Sequence, residues 1–299
     1  MDIGTGKDIP KNSNFRITPG VIQDSQSGIL NHQDIKIGYY LIDGIPLWLV
    51  DIVKPDFNFH LSLYRRLALA VIADISRRGK LPLVVGGTGL YIKSLLTDMP
   101  DMEILPDADL RQQLSGKNSN ELGEILRARD FVKWQKMNVS DRQNPRRLVR
   151  AIEVAGKRPA EKTILPVFDF LMVYLKGPKT WLDDRIKKRV AERISAGVVA
   201  ETDNLIKDGY DFNLPSFSAS PYRQLAAYFT GGKKPELLDQ ALNNWQKAEK
   251  DYAQRQTVWF DKMARQFSAP GKVMEVDASK INRKQLEVEI GEWYTKRRA

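Results

Sequence analysis

The chain has 299 residues, 42% hydrophobic and 28% charged, enough for one large α/β domain or a core domain with an insertion. Lys and Arg number 47 against 37 Asp and Glu, a formal charge of +10 that attracts nucleic acid or phosphorylated small molecules. With no cysteine and only His32 and His60, the sequence excludes disulfides, thiolate zinc sites, a Cys nucleophile and a His-rich metal site. No apolar stretch is long enough to span a bilayer and no signal peptide is recognisable, so a soluble, cytoplasmic protein is expected.

Residues 1–50 are rich in Gly, Asn, Asp and Pro, with short apolar pieces at 35–37 and 39–42, and suit loops and a hairpin. From Phe59 to Arg78 the period changes: Leu63, Leu67, Val71 and Ile75 recur every fourth residue, one face of an amphipathic helix. Residues 81–85 read as a short buried strand, Gly86-Gly87-Thr88-Gly89 as a turn, and 90–96 as a new helix. That order is the rhythm of a parallel sheet with crossover helices, so the expected fold class is α/β. Residues 101–163 contain polar helical segments at 108–114 and 121–136 and no strand, and read as a helical insertion into a core formed by 1–100 and 164–299. The best helix of the insertion starts at Asn144 as cap, with Pro145 in its first turn, and stops near Gly156. A buried strand is expected at 168–175, a long helix over 179–207 interrupted at Gly197, a further helix over 235–264, and a last helix in the tail.

Four patterns could carry chemistry. The glycines of 86–89 let the backbone approach a ligand at the head of a helix, with Thr88 placing a hydroxyl at the mouth of the turn; a tight turn without a ligand has the same signature. Arg185, Arg189 and Arg193 form a cationic stripe beside the apolar stripe Leu182, Ile186, Val190 and Ile194. Like charges at this spacing repel, and a bound diphosphate or RNA phosphate would relieve them, although acidic neighbours such as Asp184 and Glu192 would also serve. Arg146, Arg147 and Arg150 point outward while Leu148 and Ile152 face inward, a pattern that positions RNA through its phosphates or is a solvated face. Trp245, Tyr252 and Trp259, spaced by seven, are more simply a core stripe than a base-stacking platform. Gly4-Thr5-Gly6-Lys7 imitates the end of a phosphate-binding P-loop, but Met1 and Asp8 stand where that motif needs Gly and Ser or Thr.

In order along the chain, several motifs resemble the signatures of the tRNA dimethylallyltransferase family: Met1-Asp2-Ile3-Gly4-Thr5-Gly6-Lys7, Leu49-Val50-Asp51-Ile52-Val53, Val85-Gly86-Gly87-Thr88-Gly89-Leu90-Tyr91, residues 144–154, Leu182-Asp183-Asp184-Arg185-Ile186, Tyr222-Arg223-Gln224 and Arg255-Gln256 with Trp259-Phe260. The resemblance runs from Met1 to about Phe260. It implies a P-loop-NTPase-like parallel-sheet core with a helical insertion that grips the tRNA anticodon stem-loop. It further implies transfer of a dimethylallyl group from dimethylallyl diphosphate to N6 of the flipped adenine 3′ to the anticodon, assisted by Mg²⁺. Under it, Thr88 and Arg185 are the expected catalytic residues, Gly86, Gly87, Gly89 and Arg189 line the diphosphate, and Arg111, Asn144, Arg146, Arg147, Leu148, Arg150, Tyr222, Arg223, Arg255 and Gln256 contact tRNA. A monomer is expected, with no residue set for a metal.

Set against the family pattern, the sequence departs in places. The first strand, the P-loop and the segment bearing the catalytic aspartate have no counterpart, so an N-terminally shortened and inactive chain is the expectation. An RNA-binding remnant or a transferase for free adenine nucleotide are the alternatives. Pro221 replaces a usual Gly before Tyr222, Leu47-Trp48 replaces a pair containing His, the stretch after Val154 is short, and 11–45 is long.

Overall fold

The computed structural model describes residues 1–7, 9–10, 13–18, 35–157, 166–268 and 272–296; His32 and the end of the expected insertion at 158–163 lie outside them. In chain order the elements begin with β1 (Phe15–Ile17), β2 (Gly38–Ile42), β3 (Ile45–Trp48), α1 (Leu61–Arg77) and α2 (Gly89–Leu96). Five helices follow: α3 (Ala108–Gln113), α4 (Ser119–Arg129), α5 (Phe131–Lys136), α6 (Val139–Arg142) and α7 (Pro145–Val154). The rest are β4 (Met172–Lys176), α8 (Lys179–Ser195), α9 (Val198–Lys207), α10 (Ser220–Thr230), α11 (Pro235–Gln266), β5 (Val273–Asp277) and α12 (Arg283–Lys296). The fold is α/β with a helical majority and small sheets. It divides into two compact units, Met1–Lys93 with Phe168–Ala299, and Ser94–Val167.

In the first unit, β1, β2 and β3 form an antiparallel sheet in that order, Tyr40 facing Phe15 on one side and Leu47 on the other. Helix α1 starts where His60 Nδ1 accepts from the Leu63 amide, and its apolar face buries Leu63 and Leu67 with Ile52. The arginine-bearing helix α8 seats Ile186 and Val190 against Val198 and Trp245, as its apolar stripe requires. Gly197, at φ 97°, breaks α8 from α9 in a left-handed turn that only glycine adopts without strain. Pro221 sits in the first turn of α10, where a missing N–H costs nothing.

The expected parallel sheet is smaller than its sequence pattern suggests. Parallel pairing among the described residues is confined to β4 with β5, the latter unforeseen because its five residues follow directly on a long helix. Residues 81–85 are not a buried strand: Leu83 is 72% and Val85 92% exposed, and among the described residues the segment pairs with no neighbour. Strand composition alone does not make a strand, since its amides and carbonyls need a partner edge. The strand expected at 168–175 likewise starts only at Met172, where β5 begins to pair.

In the second unit the described residues contain helices and no strand. The helix expected over 121–136 is two, α4 and α5, broken at Asp130, whose side chain caps α5 through the Lys133 amide. Leu110, Leu122, Leu126, Leu148 and Ile152 close the core, and Glu153, next to Ile152 on α7, is a buried carboxylate.

Candidate functional site

Two glycine turns lie in the first unit, and their surroundings differ. The turn at Gly4–Lys7 is closed by the protein itself. Glu201 on α9 accepts from the amides of Asp2, Ile3 and Gly4 at 2.6, 2.9 and 3.0 Å and from the Tyr222 hydroxyl at 2.6 Å. Burial opposes the Glu201 charge, but the Tyr222 hydroxyl and the three amides outweigh it and hold the carboxyl below its ordinary range. Burial, reinforced by the same contact, pushes the Tyr222 phenol far upward. A Cβ built on Gly4 would collide with the Tyr222 ring, and one on Gly6 with the Arg193 guanidinium. Lys7 bonds Asp51 and, at 3.0 Å, Asp2. Asp51 itself sits in the left-handed region at φ 57° and accepts from Tyr40 at 2.6 Å, with Leu49 at φ 62° beside it. The phenol of Tyr40 is pushed up to about 12 by that bond. The amides that could have held an external anion hold an internal carboxylate, so this is a latch between the N-terminal segment, α9 and α10.

The turn at Gly86–Gly89 is open. Gly86 and Thr88 are exposed, and among the described residues the Thr88 hydroxyl and amide have no partner. Its rear is held by α11: Gln256 Nε2 donates to the Gly87 carbonyl at 2.9 Å, the Tyr252 hydroxyl reaches the same oxygen at 3.4 Å, and the Trp259 indole lies against Gly89. The aromatic heptad therefore divides. Trp245 is core at 1% exposure, whereas Tyr252 and Trp259, each 41% exposed, back the turn.

The three arginines of α8 also part company. Arg193 lies against Gly6. Arg189 pairs at 2.8 Å with Glu249 on α11, a buried carboxylate that also accepts from Trp245 Nε1 at 3.1 Å. Arg185 is exposed over the Trp181 ring, 5.8 Å from its centroid, and no carboxylate among the described residues pairs with it. Helix α11 thus carries the partner of α8 at Glu249 and the anchor of the glycine turn at Gln256, two turns or about 10 Å apart.

The cations expected to meet RNA are similarly divided. In the second unit, Arg111 (Nε 2.6 Å, Nη2 3.1 Å) and Arg150 (Nη1 3.1 Å) both serve the buried Glu153, and Arg150 also bonds the carbonyls of Asp101 and Ile104. Burial opposes the Glu153 charge, and the Arg111 pair leads the contacts that still hold its carboxyl low. Arg147 pairs with Asp141, and Asn144 caps α7 by accepting from the Arg147 amide at 3.3 Å. Leu148 there, and Tyr222 in the first unit, are 0% exposed, so both are core residues and not surface contacts. Arg146, Arg223 and Arg255 are exposed, with no ion pair among the described residues. Sequence reasoning missed Glu153 and Glu201, single carboxylates whose partners are remote in the chain. Among the described residues no three His, Cys, Asp or Glu side chains converge on a point that could hold a metal.

The family model described as IPP transferase matches residues 39–263. A tRNA dimethylallyltransferase of Roseiflexus castenholzii is 35% identical over 235 residues, 76% of this chain and 75% of the relative. The tRNA dimethylallyltransferase 1 of Geotalea uraniireducens is 31% identical over 253 residues, covering 84% of this chain and 82% of its own length. Among solved structures, the tRNA delta(2)-isopentenylpyrophosphate transferase of Staphylococcus epidermidis superposes with a TM-score of 0.56 at 27% identity, over 85% of this chain and 82% of that one. The matched region holds the glycine turn, the helix bearing Arg185 and most of α11 together, and the chain belongs to the IPP transferase family.

Proposed function

We propose that this protein transfers a dimethylallyl group from dimethylallyl diphosphate to N6 of the adenine adjacent to the anticodon in tRNA. In that reaction the allylic C–O bond breaks with its electron pair leaving on diphosphate, a C–N bond forms to N6, and N6 loses a proton. The developing charge is on the leaving diphosphate, so catalysis needs preorganised donors and cations there. The observation that carries the reading is the open turn at Gly86–Gly89, backed by the helix that also seats α8 and its exposed Arg185. Arg185 offers a forked contact to the diphosphate, and Thr88 its hydroxyl and amide. Arg189 lies on the same face but is already held by Glu249, and serves as a second, partly neutralised charge. The N6 proton leaves to a base outside the turn, which carries none.

In this reading the second unit holds the anticodon arm, with Arg146 meeting phosphate while Arg111 and Arg150 maintain the unit's own core. Arg223 and Arg255 are the phosphate contacts of the first unit.

The test offers the purified protein dimethylallyl diphosphate together with unmodified tRNA or adenosine monophosphate, and weighs the products by mass spectrometry. One added dimethylallyl group on tRNA and none on the mononucleotide is the expected result. Transfer to the mononucleotide instead, or to neither, overturns the proposal. Arg185→Ala should then slow transfer by roughly a hundredfold or more.

A further inference from the structure

We propose that Gln256 is a positioning residue that orients the glycine turn through the Gly87 carbonyl, an inference that rests on the reading of this turn as the diphosphate site. The peptide joining Gly87 to Thr88 is planar and trans, so its C=O and N–H point in opposite directions. Gln256 Nε2 draws the Gly87 oxygen toward α11 at 2.9 Å. The Thr88 N–H is thereby turned away from α11, toward the open side where the hydroxyl also lies exposed. A glycine pair without such an anchor would sample both orientations of this peptide, and one of them presents an oxygen to the incoming anion.

The surroundings show that the contact is built for closeness. A Cβ on Gly87 would displace the Gln256 amide, and one on Gly89 would collide with the Trp259 indole, so the two side chains of α11 reach the turn only because both positions are glycine. Tyr252 reaches the Gly87 oxygen at 3.4 Å and gives it a second, weaker donor. Gln256, expected from its motif to contact tRNA, is half-buried and spends its amide on the turn.

The test uses Gln256→Ala, Gln256→Glu, Gly87→Ala and the double variant Gly87→Ala/Gln256→Ala, with two readouts. Hydrogen–deuterium exchange over residues 86–92 of the ligand-free protein reports the turn itself, and calorimetric titration with inorganic diphosphate reports its use. Gln256→Ala should speed exchange in that segment and weaken diphosphate roughly tenfold, with tRNA affinity and the melting temperature little changed. Gln256→Glu should do worse, because a carboxylate cannot donate to a carbonyl. Gly87→Ala acts by expelling the Gln256 amide, so the double variant should be no weaker than either single one. Exchange and affinity within about twofold of the parent in both Gln256 variants, or losses that simply multiply in the double variant, overturn the proposal. If the parent binds no diphosphate, the assignment of the turn as donor site falls, while the exchange data still decide whether Gln256 orients the peptide.

Discussion

The two Gly-Thr-Gly turns of the first unit share a composition and differ in what their neighbours do to them. At residues 4–6 a carboxylate from α9 fills the amide cradle, and Tyr222 and Arg193 press on the glycines. At residues 87–89 the supporting helix offers only donors and rings, and it approaches from the rear. A glycine turn is a possible anion site by virtue of its backbone, and the nearest side chain decides whether the protein or a ligand uses it.

The largest way to break the comparison is to empty the closed turn. Glu201→Ala strands three amides and the Tyr222 hydroxyl, and should cost about 3–4 kcal/mol, read as a lowered Tm without prior loss of diphosphate binding. The same latch sets a pH dependence. The folded-state pKa of Glu201 lies below its unfolded value, so its contribution is complete at neutral pH. It fades as pH falls through the unfolded carboxylate range toward the lower folded value. The Tm gap between the parent and Glu201→Gln should therefore narrow as pH falls from neutral through and below the ordinary carboxylate range; a constant gap contradicts the latch.

Next in size is the contrast between equivalent glycines. Gly4→Ala drives a methyl group into the buried Tyr222 ring and should destabilise by about 2–3 kcal/mol. Gly87→Ala meets only the movable tip of Gln256, so thermal unfolding should place it within about 1 kcal/mol of the parent. Equal destabilisation by the two substitutions would erase the distinction between latch and site.

Much of this was legible beforehand, because helices announce themselves by period. The stripe Ile186, Val190 and Ile194, the cap at Asn144 and the break at Gly197 lie where local pattern alone puts them. What could not be read was who partners whom across the chain. Residues 81–85 have strand composition but no strand beside them among the described residues, and β5 owes its existence to β4 about a hundred residues earlier. The same limit sorted the arginines. Arg111, Arg146 and Arg150 look alike in sequence, yet Glu153, buried at 0% exposure, claims two of them and leaves Arg146 in solvent.

That sorting yields the smallest effects. Arg146→Glu should leave Tm unchanged, weaken tRNA and reduce the dependence of log affinity on log salt by roughly one unit. Arg150→Ala should act chiefly on stability, by about 2 kcal/mol, because it deprives a buried carboxylate of a partner. The reverse pattern would mean that Arg150 faces RNA and Arg146 does not.

The central claim is that the open turn and Arg185 take hold of one anion. It is tested most directly by titrating inorganic diphosphate into the parent, Thr88→Ala, Arg185→Ala and the double variant under one set of conditions. A shared anion predicts that each substitution weakens binding by roughly tenfold or more and that the double variant loses less than the product of the two. Unchanged affinity in Arg185→Ala, or losses that multiply as if the two residues never met the same molecule, would contradict it.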